Sequence, residues 1–149
     1  MKLLSQRDPS WSSVKLGQSQ LTLGRWGCTT TSMSMLTDYF GGYVDPPTLA
    51  HNVHNYTLDG LVNWKALSFP TMRFEKREYG ENMVGIQNAI RDPRKAVILQ
   101  VNQGAHWVVA IRKALIGSDI LIADPWDGTK CWAKKRYHDI SGAAYFSRK

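Results

Sequence analysis

The sequence predicts a single α+β domain, with helices in the first half of its 149 residues and an antiparallel sheet in the second. Three observations carry that expectation. In "CTTTSMSMLTDYF", Met33, Leu36, Tyr39 and Phe40 recur at three- and four-residue spacings, the period of an amphipathic helix. Later, "KAVILQV", "HWVVAIRK" and "SDILIAD" are short apolar runs bounded by turn residues, the signature of buried strands. No internal repeat, low-complexity tract or linker divides the chain, so residues 1–149 read as one domain.

The elements follow in order. A helix is expected from Cys28 to Phe40, stopped by Gly41 and Gly42. "DPPTLAHNVHNY" gives a short helix capped by Asp45, with Pro46 and Pro47 in its first turn. Leu58, Leu61, Val62 and Leu67 suggest another short helix, closed by Pro70. "TMRFEKREY" reads as a strand, and "ENMVGIQNAIRDP" as a helix with Met83, Ile86 and Ile90 on one face. Further strands are expected near Lys130–Lys134 and Ala143–Phe146.

Hydrophobic residues make up 43% and charged residues 21% of the chain, which excludes a disordered polymer. A net charge of +7 suits an anionic partner, although the cations form only local groups such as Arg112–Lys113 and Lys134–Arg136. There is no nucleic-acid module and no phosphate-cradling glycine loop. No run of apolar residues is long enough to span a bilayer, so no membrane insertion is expected. The opening "MKLLSQRDPSW" is too briefly apolar for a signal peptide, which makes a cytoplasmic location the expectation. Two cysteines, Cys28 and Cys131, make no disulfide framework and are expected to be reduced.

Cys28 falls where a loop gives way to a helix. There the unpaired amides and the macrodipole favour a thiolate, and an imidazolium nearby would favour it further. His106 opens a strand after a Gly-containing turn, and Asp124 ends the next strand. If "KALIGS" is the hairpin turn between them, His106 falls opposite residue 124, 125 or 126, and a register with an even sum of paired numbers puts both side chains on one face, adjacent or diagonal. A carboxylate beside an imidazole fixes its tautomer and stabilises the imidazolium formed when it takes the thiol's proton. Nucleophile, base and orienter are the parts of covalent acyl transfer. Asp127 is a rival orienter within turn chemistry. His51 and His54, three apart, read as a solvated helix face. Cys28, Cys131, His106 and His138 lack the paired spacing of a zinc site, so neither a metal nor a cofactor is expected.

The ordered set "QRDPSW", "GC", "HWVVAI" and "IADPW" resembles the papain-like cysteine peptidases of the bacteriocin-processing (double-glycine peptidase) type, and is closest to their stand-alone relatives. The resemblance spans nearly the whole chain and implies a papain-like fold. It also implies Cys28 as nucleophile, His106 as general base and acid, Asp124 as orienter and an upstream glutamine as oxyanion donor. Thr22 occupies the position that glutamine takes in transporter-linked members. The role then passes to Gln6, with Gln18 and Gln20 as rivals. Small single-domain members of this kind are similar to bacteriophage lysins, which implies peptidoglycan as substrate, reached through a separate release factor. Of six tryptophans, Trp126 and Trp26 are the candidates to border a substrate groove. Two other readings stand beside this one: an intracellular protein-processing protease with a polypeptide substrate, and an inactive papain-like binding domain. Oligomeric state is left open.

Overall fold

A computed structural model describes all residues, 1–149, as an α+β arrangement of five helices and one six-stranded sheet. The helices are α1 (Leu23–Trp26), α2 (Cys28–Tyr39), α3 (Pro46–His51), α4 (Met83–Arg91) and α5 (Ala133–Tyr137). The strands are β1 (Met72–Tyr79), β2 (Lys95–Val101), β3 (His106–Lys113), β4 (Ile120–Asp124), β5 (Thr129–Trp132) and β6 (Gly142–Arg148). They lie in the order β1-β6-β2-β3-β4-β5, and every neighbouring pair is antiparallel.

Helix α2 is the axis of the molecule, and it departs from the expected amphipathic form. Every residue from Thr29 to Thr37 is buried. Most of its hydroxyls make this tolerable by reaching a partner inside the protein, although Thr31 Oγ1 is buried without one. Thr30 shares a 2.8 Å hydrogen bond with the Tyr56 hydroxyl, Ser34 donates to Val44 O at 2.6 Å, and Thr37 donates to Ser34 O at 2.7 Å. Its apolar residues Met33, Met35 and Leu36 pack with Ile98, Val109 and Phe146 on one face of the sheet.

The other face is covered too. Ile86 and Ala89 of α4, with Ala133 of α5, pack on Val97, Leu99, Val108, Ile120 and Ile122. The expected division into N-terminal helices and C-terminal sheet therefore holds only in part, since α4 and α5 close the far side. This explains why "KAVILQV" shows no alternation: β2 is central and buried on both faces.

Asp45 caps α3 as expected, accepting from Thr48 N–H at 2.8 Å. The helix expected over Leu58–Leu67 is absent. Thr57–Leu61 is a turn closed by Thr57 N–H on Leu61 O at 2.8 Å, with Gly60 at φ +82°, and only Trp64–Ala66 forms a 3₁₀ turn. Leu58 and Leu61 point outward, 80% and 65% exposed, so their spacing never met a core. The strand expected to Lys134 stops at Trp132, where the chain turns into α5.

Candidate active site

The β3–β4 hairpin decides the first part of the geometry. Val109 pairs with Ala123 and Ala110 with Ile122, and a bulge at Ile111 lies beyond them, away from the site. Continued toward the open end, this register sets Asp124 diagonally across from His106 on the same face. The His106 Nε2–Asp124 Oδ1 distance is 2.8 Å. His106 is 8% exposed and Asp124 is fully buried.

Burial of a carboxylate demands partners. Asp124 Oδ1 also accepts the Trp126 N–H at 2.9 Å. Oδ2 accepts the Tyr137 hydroxyl and lies 3.2 Å from Arg136 Nη1, both supplied by α5. Burial works against ionisation of Asp124, but the bonds to His106 and Tyr137 outweigh it and lower its pKa.

Cys28 is the first residue of α2, partly exposed and reduced. No side chain caps the helix at Gly27, and the first backbone bond runs from Thr31 N–H to Gly27 O at 2.8 Å. The amides of Cys28, Thr29 and Thr30 are therefore the unpaired donors of the helix end. Gly27 lets α1 and α2 meet there, since a Cβ at this position would lie 2.5 Å from Leu23 O. Burial pushes the Cys28 thiol up, yet its interaction with the neighbouring His106 imidazolium brings it below its ordinary value. His106 shows the reciprocal effect. Burial lowers it, but Asp124 and the Cys28 sulfur together raise its pKa to about 9. Both shifts run in the direction that favours thiolate and imidazolium.

Gln6 reaches this point from the other end of the chain. The N-terminal segment docks on the β4–β5 turn, with Gln6 N–H on Pro125 O at 2.6 Å and Ser5 Oγ on Trp126 O at 3.2 Å. The Gln6 side chain is 1% exposed and gives one Nε2 hydrogen to Gly24 O at 3.2 Å. It lines the same groove as Cys28, whereas Gln18 and Gln20 lie exposed outside it. Asp127 binds Thr129 and Arg136 and does not touch His106. His51 and His54 are exposed, and no group of three His, Cys, Asp or Glu is close enough to hold a metal ion.

Cys28, His106 and Gln6 open onto a groove of about 670 Å³. Trp26 and Trp126 stand in its lining, 52% and 40% exposed, while Trp64 and Trp107 form a more buried wall. The wall, Arg77 and the Tyr137–Arg136 support for Asp124 escaped the sequence reading. Nothing in the spacing of "AKKRYHD" could link Tyr137 to Asp124, because the link runs through a short helix folded back over β4.

Chemically, the arrangement can hold a thiolate beside an imidazolium, with a carboxylate fixing the ring. The Cys28 amide and the Gln6 side chain are donors available to a developing oxyanion. No helix is long and apolar enough to cross a membrane. In comparisons with known proteins, no family model, no curated protein and no solved structure matches this chain.

Proposed function

We propose that this chain is a papain-like cysteine peptidase or amidase of the stand-alone bacteriocin-processing type, acting as a bacteriophage-type lysin on the peptides of peptidoglycan. The observation that carries the reading is the His106 ring bonded to Asp124 at 2.8 Å and lining one groove with the Cys28 thiol at the start of α2. The Cys28 thiolate attacks the carbonyl carbon, forming the C–S bond while charge moves to the carbonyl oxygen. The Cys28 N–H and Gln6 Nε2 stabilise that oxygen. Collapse breaks the C–N bond, and the His106 imidazolium gives its proton to the leaving amine. His106 then takes a proton from water, whose oxygen displaces sulfur from the thioester. The acid product leaves, and thiolate and imidazolium are restored.

A basic chain with exposed Trp26 and Trp126 beside its groove supports a polyanionic wall substrate over an ordinary polypeptide. The test is clearing of a purified wall suspension, with mass spectrometry of the released fragments and denatured protein as the competing substrate. Clearing by the native chain and none by folded Cys28→Ala is the expected result. Cleavage of denatured protein alone would favour intracellular processing. An unreactive Cys28 with tight wall binding would favour a binding domain.

A further inference from the structure

The groove is lined by Arg25, Arg77 and Arg136 and by no aspartate or glutamate. These arginines are not equivalent. Arg136 is neutralised by Asp124 and Asp127, at 3.2 and 2.8 Å, and Arg25 is exposed, its guanidinium 5.4 Å from the Trp26 ring centroid. Arg77 is half-buried on β1 and forms no ion pair. Its neighbour Glu78 is occupied by Lys76, Asn82 and Tyr145.

Arg77 is nonetheless held firmly. Its guanidinium carbon lies 5.1 Å from the Trp107 ring centroid, 4.7 Å from Tyr79 and 5.7 Å from Trp64. Nη2 donates to Gln100 Oε1 at 3.2 Å, and Gln100 Nε2 donates to Gly104 O at 2.8 Å in the turn before His106. A Cβ at Gly142 would lie 3.0 Å from Gln100 Oε1, so that glycine leaves room for the neutral clamp. Nε of Arg77 is buried with no hydrogen-bond partner. A positioned, partly desolvated guanidinium with donors to spare and no counter-charge is built for a planar, bidentate anion.

We propose that Arg77 forms a carboxylate-binding subsite of the groove, which selects substrates carrying a free carboxylate near the scissile bond. The inference rests on the peptidase reading for its catalytic consequence, though not for binding itself. In a wall peptide the carboxylate could belong to a γ-linked glutamyl residue or to the peptide C-terminus.

The experiment uses three synthetic stem peptides: one with both carboxylates free, one amidated at the glutamyl carboxylate, and one amidated at the C-terminus. Amidation at one of these sites is expected to lower kcat/KM by about 10- to 100-fold, the scale of a charge-assisted hydrogen bond, and thereby names the source. Arg77→Gln is expected to bring the three rates within about threefold of one another, with Arg77→Lys between, as a point charge without the fork. Iodoacetamide reactivity of Cys28 should stay unchanged. Equal rates on all three peptides with the native chain would overturn the subsite. So would an Arg77→Gln protein that loses thermal stability while keeping the carboxylate preference.

Calorimetric titration of folded Cys28→Ala with the same peptides separates the two ideas. A carboxylate preference in binding without hydrolysis by the native chain retains the subsite and ends the peptidase reading. Hydrolysis without that preference does the reverse.

Discussion

The two cysteines of this chain sit in corners that look alike on paper and behave oppositely. Each is a reduced, half-buried thiol next to a short helix, with a cationic side chain close by. At Cys28 the cation is His106, and the thiol's pKa falls. At Cys131 burial raises the pKa, and Arg136, donating to the sulfur at 3.7 Å, does not reverse it. The difference lies in where each cation's charge is spent. Arg136 is already paired with Asp127 and Asp124, whose negative charges also bear on Cys131. His106 instead has Asp124 on one nitrogen and Cys28 toward the other, so the carboxylate strengthens the imidazolium that the thiolate needs. A nearby cation does not activate a thiol when its charge is already balanced, and the amides at the start of α5, just beyond Cys131, are taken by Asp119, which accepts from Lys134 and Lys135 N–H at 2.8 and 3.3 Å.

The largest effect should come from exchanging the two thiols' fates. Folded Cys28→Ala should lose peptide hydrolysis to background, while Cys131→Ser should stay close to the native rate, both read as fragment release. Equal losses would erase the distinction between the two corners.

Asp124→Asn should come next, because it removes the charge that holds His106 as imidazolium and permits the wrong ring tautomer. A loss of about 10²- to 10⁴-fold in kcat is expected, smaller than in a serine triad because a helix-end thiolate leans less on its base. Tyr137→Phe, which leaves Asp124 Oδ2 with Arg136 as its one partner, should cost roughly fivefold by the same assay.

Gln6→Ala tests whether the Cys28 corner also supplies oxyanion donors, which Cys131 lacks. Loss of one such donor is expected to lower kcat by about 10²- to 10³-fold with little change in KM. A folded Gln6→Ala variant with full kcat would leave the Cys28 amide as the donor.

The mildest test is pH. Alkylation of Cys28 by iodoacetamide should exceed that of Cys131 by at least about tenfold at neutral pH, and His106→Ala should abolish the advantage. Hydrolysis should rise as Cys28 ionises and fall again as His106 loses its proton near about 9. His106 binds its proton more tightly in the folded state than its ordinary value of 6.5. Its contribution to stability is complete below about 6.5 and is lost as pH rises through about 9. Cys28→Ala removes one support of that proton, so the His106 titration followed by NMR should move down.

Local sequence was enough to place Cys28 at the start of a helix, His106 at the start of a strand and Asp124 at the end of the next. The pairs nearest the turn, Arg112 with Leu121 and Lys113 with Ile120, carry a register that would put His106 and Asp124 on opposite faces; the bulge at Ile111 shifts it by one residue and brings them to one face, a feature the turn sequence alone does not announce. Asp45 before two prolines specified its helix through contacts within a single turn. The hydroxyl-rich α2 looked amphipathic because hydrophobicity alone cannot reveal that Thr30 meets Tyr56, or that a second layer encloses it. Leu58 and Leu61 have helical spacing but no surface to bury against.

Tertiary structure alone decided the choices that depend on distant segments. The sheet inserts β6 between β1 and β2, so the C-terminal strand lies inside the sheet and β1 at its edge. Gln6 lines the groove and Gln18 and Gln20 do not, because its segment docks on Pro125 and Trp126. Tyr137 and Arg136 reached Asp124 only through the fold of α5, and Arg77 reached the groove only through the pairing of β1 with β6. Propensity and periodicity act over a few residues, so they can place a side chain on its own element. Which element faces it is settled by burial of apolar surface over the whole chain, and no local pattern encodes that.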